Sequence, residues 1–126
     1  MRRQYCFRQT DKGCLIWDVR RLIEISRDFP IINIPLTEIK ELDENFWYDN
    51  PQNVPTCRSI ANHAKLIQET DLKYPIIMCS EGRTMDGMHR VCKALMLGNK
   101  SIGAKKLIEM PEPDYIDVSA EDLPYD

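Results

Sequence analysis

The sequence predicts an α+β fold. Three observations point to it. Apolar residues recur at helical spacing in two or three separate segments, short alternating or fully apolar runs between them read as strands, and turn residues separate the two kinds of segment. The chain has 126 residues, so one domain spanning 1–126 is the expected count, long enough to bury a core without disulfides or metal.

The elements follow in order. Tyr5 to Arg8 reads as a short strand. From Asp18 the spacing of Val19, Leu22, Ile23 and Ser26 predicts an amphipathic helix over 17–27, with Asp18 at its start and Pro30 beyond its end. Ile32, Ile34 and Leu36 alternate as a strand does. Thr37 is placed to cap a short helical turn, Glu38 to Leu42. Residues 43–55 form a loop rich in Asn, Asp and Pro. It carries Phe46, Trp47 and Tyr48, an aromatic trio suited either to stacking on a flat ligand or to covering the core. Thr56 then caps a helix to about Thr70, with Ile60, Ala64 and Ile67 on its inner face. Pro75 to Cys79 is a compact apolar run, expected to be a buried strand, and Gly82 marks a turn. Thr84 and Met85 continue as a short strand. A helix starts near Gly87 with Val91, Ala94 and Leu95 as its buried stripe, and Gly98 ends it. Ile102 to Ile108 is the closing strand, and 109–126 reads as an acidic extended tail.

Composition narrows the function. Apolar residues make up 43% and charged residues 29%, an ordinary globular balance, and the net charge of −3 disfavours a dedicated DNA binder. The charge is uneven. Arg2, Arg3, Arg8, Lys12, Arg20, Arg21 and Arg27 crowd the first quarter, whereas Glu109, Glu112, Asp114, Asp117, Glu121, Asp122 and Asp126 follow Lys106 with no basic residue among them. Such a tail either stays solvated or docks on the basic end of its own chain or of a partner. Cys6, Cys14, Cys57, Cys79 and Cys92 form no CxxC pair, and arginines rather than an apolar run follow Met1. A cytoplasmic protein with reduced cysteines and no membrane span is therefore expected.

The chemistry concentrates at Asp86-Gly87-Met88-His89-Arg90. A strand ends there, glycine permits a tight turn and close approach to the backbone, and a helix begins. The first helical turn exposes N–H groups at the positive end of the helix dipole, which is an anion site. Arg90 offers a planar fork suited to phosphate oxygens, and His89 donates a hydrogen bond or titrates near neutrality. Asp86 is placed to cap the helix or to hold a metal ion on a nucleotide. Arg58 and Cys57, at the start of the middle helix, are candidates for a second wall of the site. No protein metal site is expected, since the pairs His89/Cys92 and Cys57/His63 lack zinc-site spacing. Gly98-Asn99-Lys100-Ser101 is not a phosphate loop, because lysine occupies position 93 where a glycine is required.

The run Pro75-Ile-Ile-Met-Cys, Gly82, Met85-Asp86-Gly87-Met88-His89-Arg90-Val91-Cys92-Lys93-Ala94-Leu95, Gly98 and Ile102 resembles the core of the ParB/sulfiredoxin superfamily. Ile32-Asn-Ile-Pro-Leu-Thr-Glu-Ile is similar to the opening strand and turn of those domains. The resemblance covers roughly residues 31–107. It implies a small mixed sheet packed with three to four helices, and nucleotide binding with Gly87, Met88, His89 and Arg90 around phosphates. It also implies ATP or CTP with magnesium as the ligand. Sulfinic acid reduction is excluded, because sulfiredoxins carry a cysteine where Met88 stands and a thioether cannot attack. Partitioning is disfavoured, since an acidic tail follows this core where a helix-turn-helix domain would lie. A stand-alone nucleotide-binding domain remains, as a phosphotransferase or nucleotide hydrolase. By the resemblance Asp86 and His89 take catalytic positions, and a carboxylate from Glu38, Glu41, Asp43 or Glu44 acts as base. The alternatives are a non-catalytic regulatory or protein-interaction module and, less well supported, a DNA-processing nuclease.

Overall fold

In the computed structural model, residues 3–49 and 51–125 are described. The fold is mixed α+β, built on two small sheets and three α-helices. Strands β1 (Tyr5–Thr10) and β2 (Gly13–Asp18) form a hairpin, with Tyr5 opposite Asp18 and Thr10 opposite Gly13. Gly13 takes φ +107°, the left-handed backbone this tight reversal needs. Helix α1 (Val19–Ile25) follows directly, and Asp18 caps it by accepting the Arg20 N–H at 2.9 Å. The expected helix start at Trp17 is thus two residues early: Trp17 belongs to β2, where Cys14–Trp17 form a continuous apolar strand.

The second sheet has the order β3-β6-β4-β5, using β3 (Ile32–Pro35), β4 (Ile76–Met78), β5 (Thr84–Asp86) and β6 (Ser101–Lys106). It is mixed. β6 runs parallel to β4 and antiparallel to β3, and β5 pairs antiparallel with β4. Period-two alternation along 76–79 sends side chains to both faces. Ile76 and Met78 join Leu36, Ile39, Val91, Ala94, Ile102 and Ala104 in one core layer. Ile77 and Cys79 join Trp17, Leu22, Met85 and Leu107 in the other.

Helix α2 (Cys57–Glu69) is capped by Thr56, whose hydroxyl accepts the Ser59 N–H. Helix α3 (Met88–Met96) buries an i, i+3 stripe of Met88, Val91 and Ala94. Leu95, expected in that stripe, is 53% exposed. At the carboxyl end of α3, Gly98 donates to the Leu95 carbonyl and Asn99 to the Ala94 carbonyl, the paired bonds that close a helix on a left-handed glycine. The predicted inner face of α2 is displaced by one residue. Ile67 faces inward as expected, but Ile60 is 53% exposed and Ala64 is exposed, and Ser59 and His63 face inward in their place, because α2 meets α3 through His63.

Two expectations near Leu36 are corrected. The segment 36–43 is not one helical turn capped by Thr37 but two 3₁₀ turns, Leu36–Glu38 and Lys40–Asp43, without side-chain caps. Ile39 interrupts them in extended conformation.

The acidic tail is folded onto the basic end of the same chain. Strand β7 (Tyr115–Ile116) pairs antiparallel with β2. Asp114 accepts the Asp18 N–H at 2.8 Å and binds Arg21 at 2.9 Å. The Asp117 carboxylate accepts the Cys14 N–H at 2.8 Å. Leu123 is buried. Several of the arginines crowding the first quarter find counter-charge nearby: Arg21 in the tail, Arg3 at Asp18 and Arg27 at Glu24. No helix among the described residues is long and apolar enough to cross a membrane.

Candidate functional site

The amino end of α3 opens into a cleft of about 780 Å³. One wall is β1, from Tyr5 to Gln9. The run Arg83 to His89 also lines the cleft, with Glu41 from a 3₁₀ turn and Glu44, Phe46 and Trp47 from the long loop. A volume of this size accommodates a small-molecule ligand.

Gly87 shapes the mouth of α3. It stands at the N-cap with φ +115° and supplies no side-chain cap. A Cβ there would lie 2.6 Å from Ile76 Cγ2 and 2.9 Å from an Arg90 guanidinium nitrogen. Glycine is therefore required both by conformation and by space. Among the described residues no protein group accepts a hydrogen bond from the backbone N–H of Met88, His89 or Arg90, and the first amide committed to the helix is Val91, which donates to the Gly87 carbonyl. Free donors at a helix start favour an anion.

The side chains around this turn are arranged otherwise than expected. Asp86 does not cap α3. Its carboxylate accepts from the Arg90 guanidinium at 2.8 Å, because one helical turn separates the two residues and Gly87 leaves the space between them open. Arg90 also reaches the Tyr74 carbonyl, at 3.4 Å, and does not line the cleft. Its fork is committed to the Asp86 carboxylate. His89 points the other way. Its Nε2 lies 2.9 Å from His63 Nδ1, and Trp47 stacks on both rings, at 4.2 Å from His63 and 4.8 Å from His89. The side chains of 89 and 90 thus diverge. Of the aromatic trio, Trp47 covers core and imidazoles, while Phe46 stays partly exposed at the cleft.

Burial, the neighbouring His63 and the Arg90 charge together press the His89 imidazole down to about 4. Burial likewise lowers His63. Both rings are therefore neutral at pH 7, and one N–H is shared between them. A folded-state value below the ordinary 6.5 means the unfolded chain binds the proton first. Stability is therefore fully present above pH 6.5 and is lost as pH falls from there towards 4. After solvent screening of a half-buried ring the loss is about 1–2 kcal/mol. Urea unfolding at pH 7 and pH 5 is expected to show it in the native chain, with a smaller difference in His89→Gln.

The four candidate carboxylates separate cleanly. Glu38 is exposed and absent from the cleft, and so is Asp43. Glu44 is bound to the Arg83 guanidinium through two bonds of 2.7 Å, which hold its carboxyl below the usual range. Glu41 is 2% exposed and lines the cleft. The extended Ile39 between the 3₁₀ turns is what sends Glu41 inward and leaves Glu38 outward, although three residues separate them. One Glu41 oxygen accepts the Thr84 N–H at 2.6 Å and lies 3.5 Å from Arg83 Nε. The other, Oε1, is buried without a hydrogen-bond partner, as is the Thr84 hydroxyl. Buried polar atoms are ordinarily paired. These two can be completed by a ligand that brings a donor.

Arg58 and Cys57 are exposed on α2 and line no part of the cleft, since α2 turns its His63 face inward. Sequence reasoning missed Arg8, Cys6 and Cys79. Alternation along β1 places Cys6 and Arg8 on one face, and that period was the available signal. Burial raises the Cys79 thiol, but hydrogen bonds from the amides of Arg83 and Glu81 and from Arg8 outweigh it and leave the thiol below its ordinary value. Burial pushes Cys6 up to about 12. Among the described residues no group of three or more His, Cys, Asp or Glu side chains is arranged to hold a metal ion.

No family model matches this chain, and no curated protein or solved structure is significantly similar to it.

Proposed function

We propose that the cleft binds a nucleotide or another phosphorylated small molecule, with a phosphate on the free amides of Met88, His89 and Arg90. The observation that carries this reading is the meeting, in one cleft, of the unpaired helix-start residues Met88 and His89 and the unpartnered buried oxygen of Glu41. The amides receive negative charge. Glu41 Oε1 receives a donor, either a ligand hydroxyl or the magnesium ion carried by a nucleotide's phosphates. The resemblance of 75–102 to the ParB/sulfiredoxin core favours ATP or CTP as that ligand.

Phosphoryl transfer or nucleotide hydrolysis is the chemistry the site would support, since such catalysis is mostly positioning and charge stabilisation. In that case Glu41 accepts the proton of the attacking hydroxyl or water. Asp86 and His89 act as positioning groups, each being already held by a neighbour. That same engagement favours a second reading, a non-catalytic module that binds the nucleotide as a signal.

Thermal unfolding with ATP, ADP, CTP and GTP, with and without magnesium, tests binding, because a ligand of the folded state raises the melting temperature. At a hundred times its Kd, one ligand is expected to add about 2.7 kcal/mol. Glu41→Gln is expected to remove the part of that shift that depends on magnesium. Release of phosphate by the native chain then separates enzyme from sensor. Absence of a shift with every nucleotide contradicts nucleotide binding.

A further inference from the structure

We propose that Arg8 forms a second anion subsite in this cleft, so that the ligand held at the start of α3 carries a further negative group, a carboxylate or a second phosphate, set apart from the first. The inference rests on the phosphate reading above and extends it to the ligand's other end. Strand β1 alternates, and its inward face carries Cys6 and Arg8 opposite Trp17 and Leu15, three of which pack against the core. Phe7, between Cys6 and Arg8, is 45% exposed on the other face. An arginine on an inward face is expected to have a counter-ion, because a desolvated unpaired charge is costly. Among the described residues no carboxylate lies within 4.0 Å of Arg8.

Its neighbours are weak ones. The guanidinium lies 4.0 Å from Met110 Sδ and beside the Cys79 thiol. Arg83, the other arginine of the cleft, is already neutralised by Glu44. Arg8 is therefore the cleft's cation with capacity to spare, and it lines the same cleft as Met85 to His89. A planar guanidinium fork matches the two oxygens of a carboxylate or a phosphate. A ligand bridging the two walls would be gripped at both ends.

Calorimetric titration with matched pairs tests this and separates the two sources of charge. Glycerol 3-phosphate against 3-phosphoglycerate adds a carboxylate to a common phosphate. Fructose 6-phosphate against fructose 1,6-bisphosphate adds a second phosphate. In one pair the doubly anionic member is expected to bind at least about tenfold more tightly, as a charge-assisted bond would give. Arg8→Gln is expected to abolish that advantage without changing the singly charged member, and Arg8→Lys to retain part of it. Equal affinity within both pairs, or an equal loss for both members in Arg8→Gln, overturns the assignment of Arg8 and leaves the phosphate site standing. Failure of all four compounds to bind the native chain, together with no thermal shift from any nucleotide, overturns both. The comparison within pairs needs no variant, so a poorly folding substitution does not blunt it.

Discussion

Trp17→Ala is expected to lower the free energy of unfolding by about 3–5 kcal/mol, measured by urea denaturation. Trp17 is 1% exposed and is the largest fully buried side chain. It belongs to the layer that joins the hairpin to the underside of the second sheet, through Ile77, Met85 and Leu107. Its indole N–H donates to the Pro111 carbonyl at 2.9 Å, so one side chain also fastens the start of the acidic tail. Removing it opens a cavity the surrounding strands cannot close and orphans that carbonyl. Trp17→Phe keeps most of the apolar area and loses the hydrogen bond, so its cost is expected to be smaller, about 1–2 kcal/mol. A native total of about 5–15 kcal/mol for such a chain makes the alanine variant marginal. A cost below about 1 kcal/mol for Trp17→Ala would show that the hairpin does not share the core.

Gly87→Ala is expected to cost about 2–4 kcal/mol and to abolish phosphate binding. The conformational part comes from φ +115°, which an L side chain rarely adopts. The steric part comes from Ile76 Cγ2 at 2.6 Å, a neighbour fixed in the core layer with no room to retreat. Relief requires the turn to move, and moving it swings the amides of Met88 and His89 away from the cleft. The stability loss appears in urea denaturation and the binding loss in the thermal shift with nucleotide. An alanine variant as stable as the native chain, with its nucleotide shift intact, would show that the turn is not the anchor of the site.

What the sequence made legible was local. Asp18 and Thr56 are capping residues whose partners lie two and three positions on, and α3 closes through the bond of Gly98 to the residue three before it and of Asn99 to the residue five before Asn99. Ile76–Met78 is apolar at every position because both faces of the strand are covered. The turn at Gly87 was visible for the same reason. What stayed hidden depends on pairs distant in sequence. Leu15 meets Ile116, and nothing near either residue announces a strand partner. His63 meets His89 only because α2 packs on α3, and that contact turns Ile60 outward. Arg90 was legible as a cation near the turn, but its pairing with Asp86 depends on the space that Gly87 leaves open between them. Glu41 was one of four equivalent carboxylates until the extended Ile39 placed it inside.

The proposed site does not depend on the Arg90 side chain, which is committed to Asp86. Backbone amides cannot be diverted by a competing carboxylate as a long side chain can, and their direction is set by the helix itself. In the proposed site, specificity is assigned to the groups around the amides: Glu41 for a donor and Arg8 for a second charge.

The most direct measurement is an amide-resolved NMR titration of ¹⁵N-labelled protein with ADP and with inorganic phosphate. The amides of Met88, His89 and Arg90 are expected to show the largest saturable shifts with both, and those of α2 to stay near their starting positions. Unmoved amides at 88–90 under a ligand that shifts residues elsewhere would contradict phosphate capture at the start of α3.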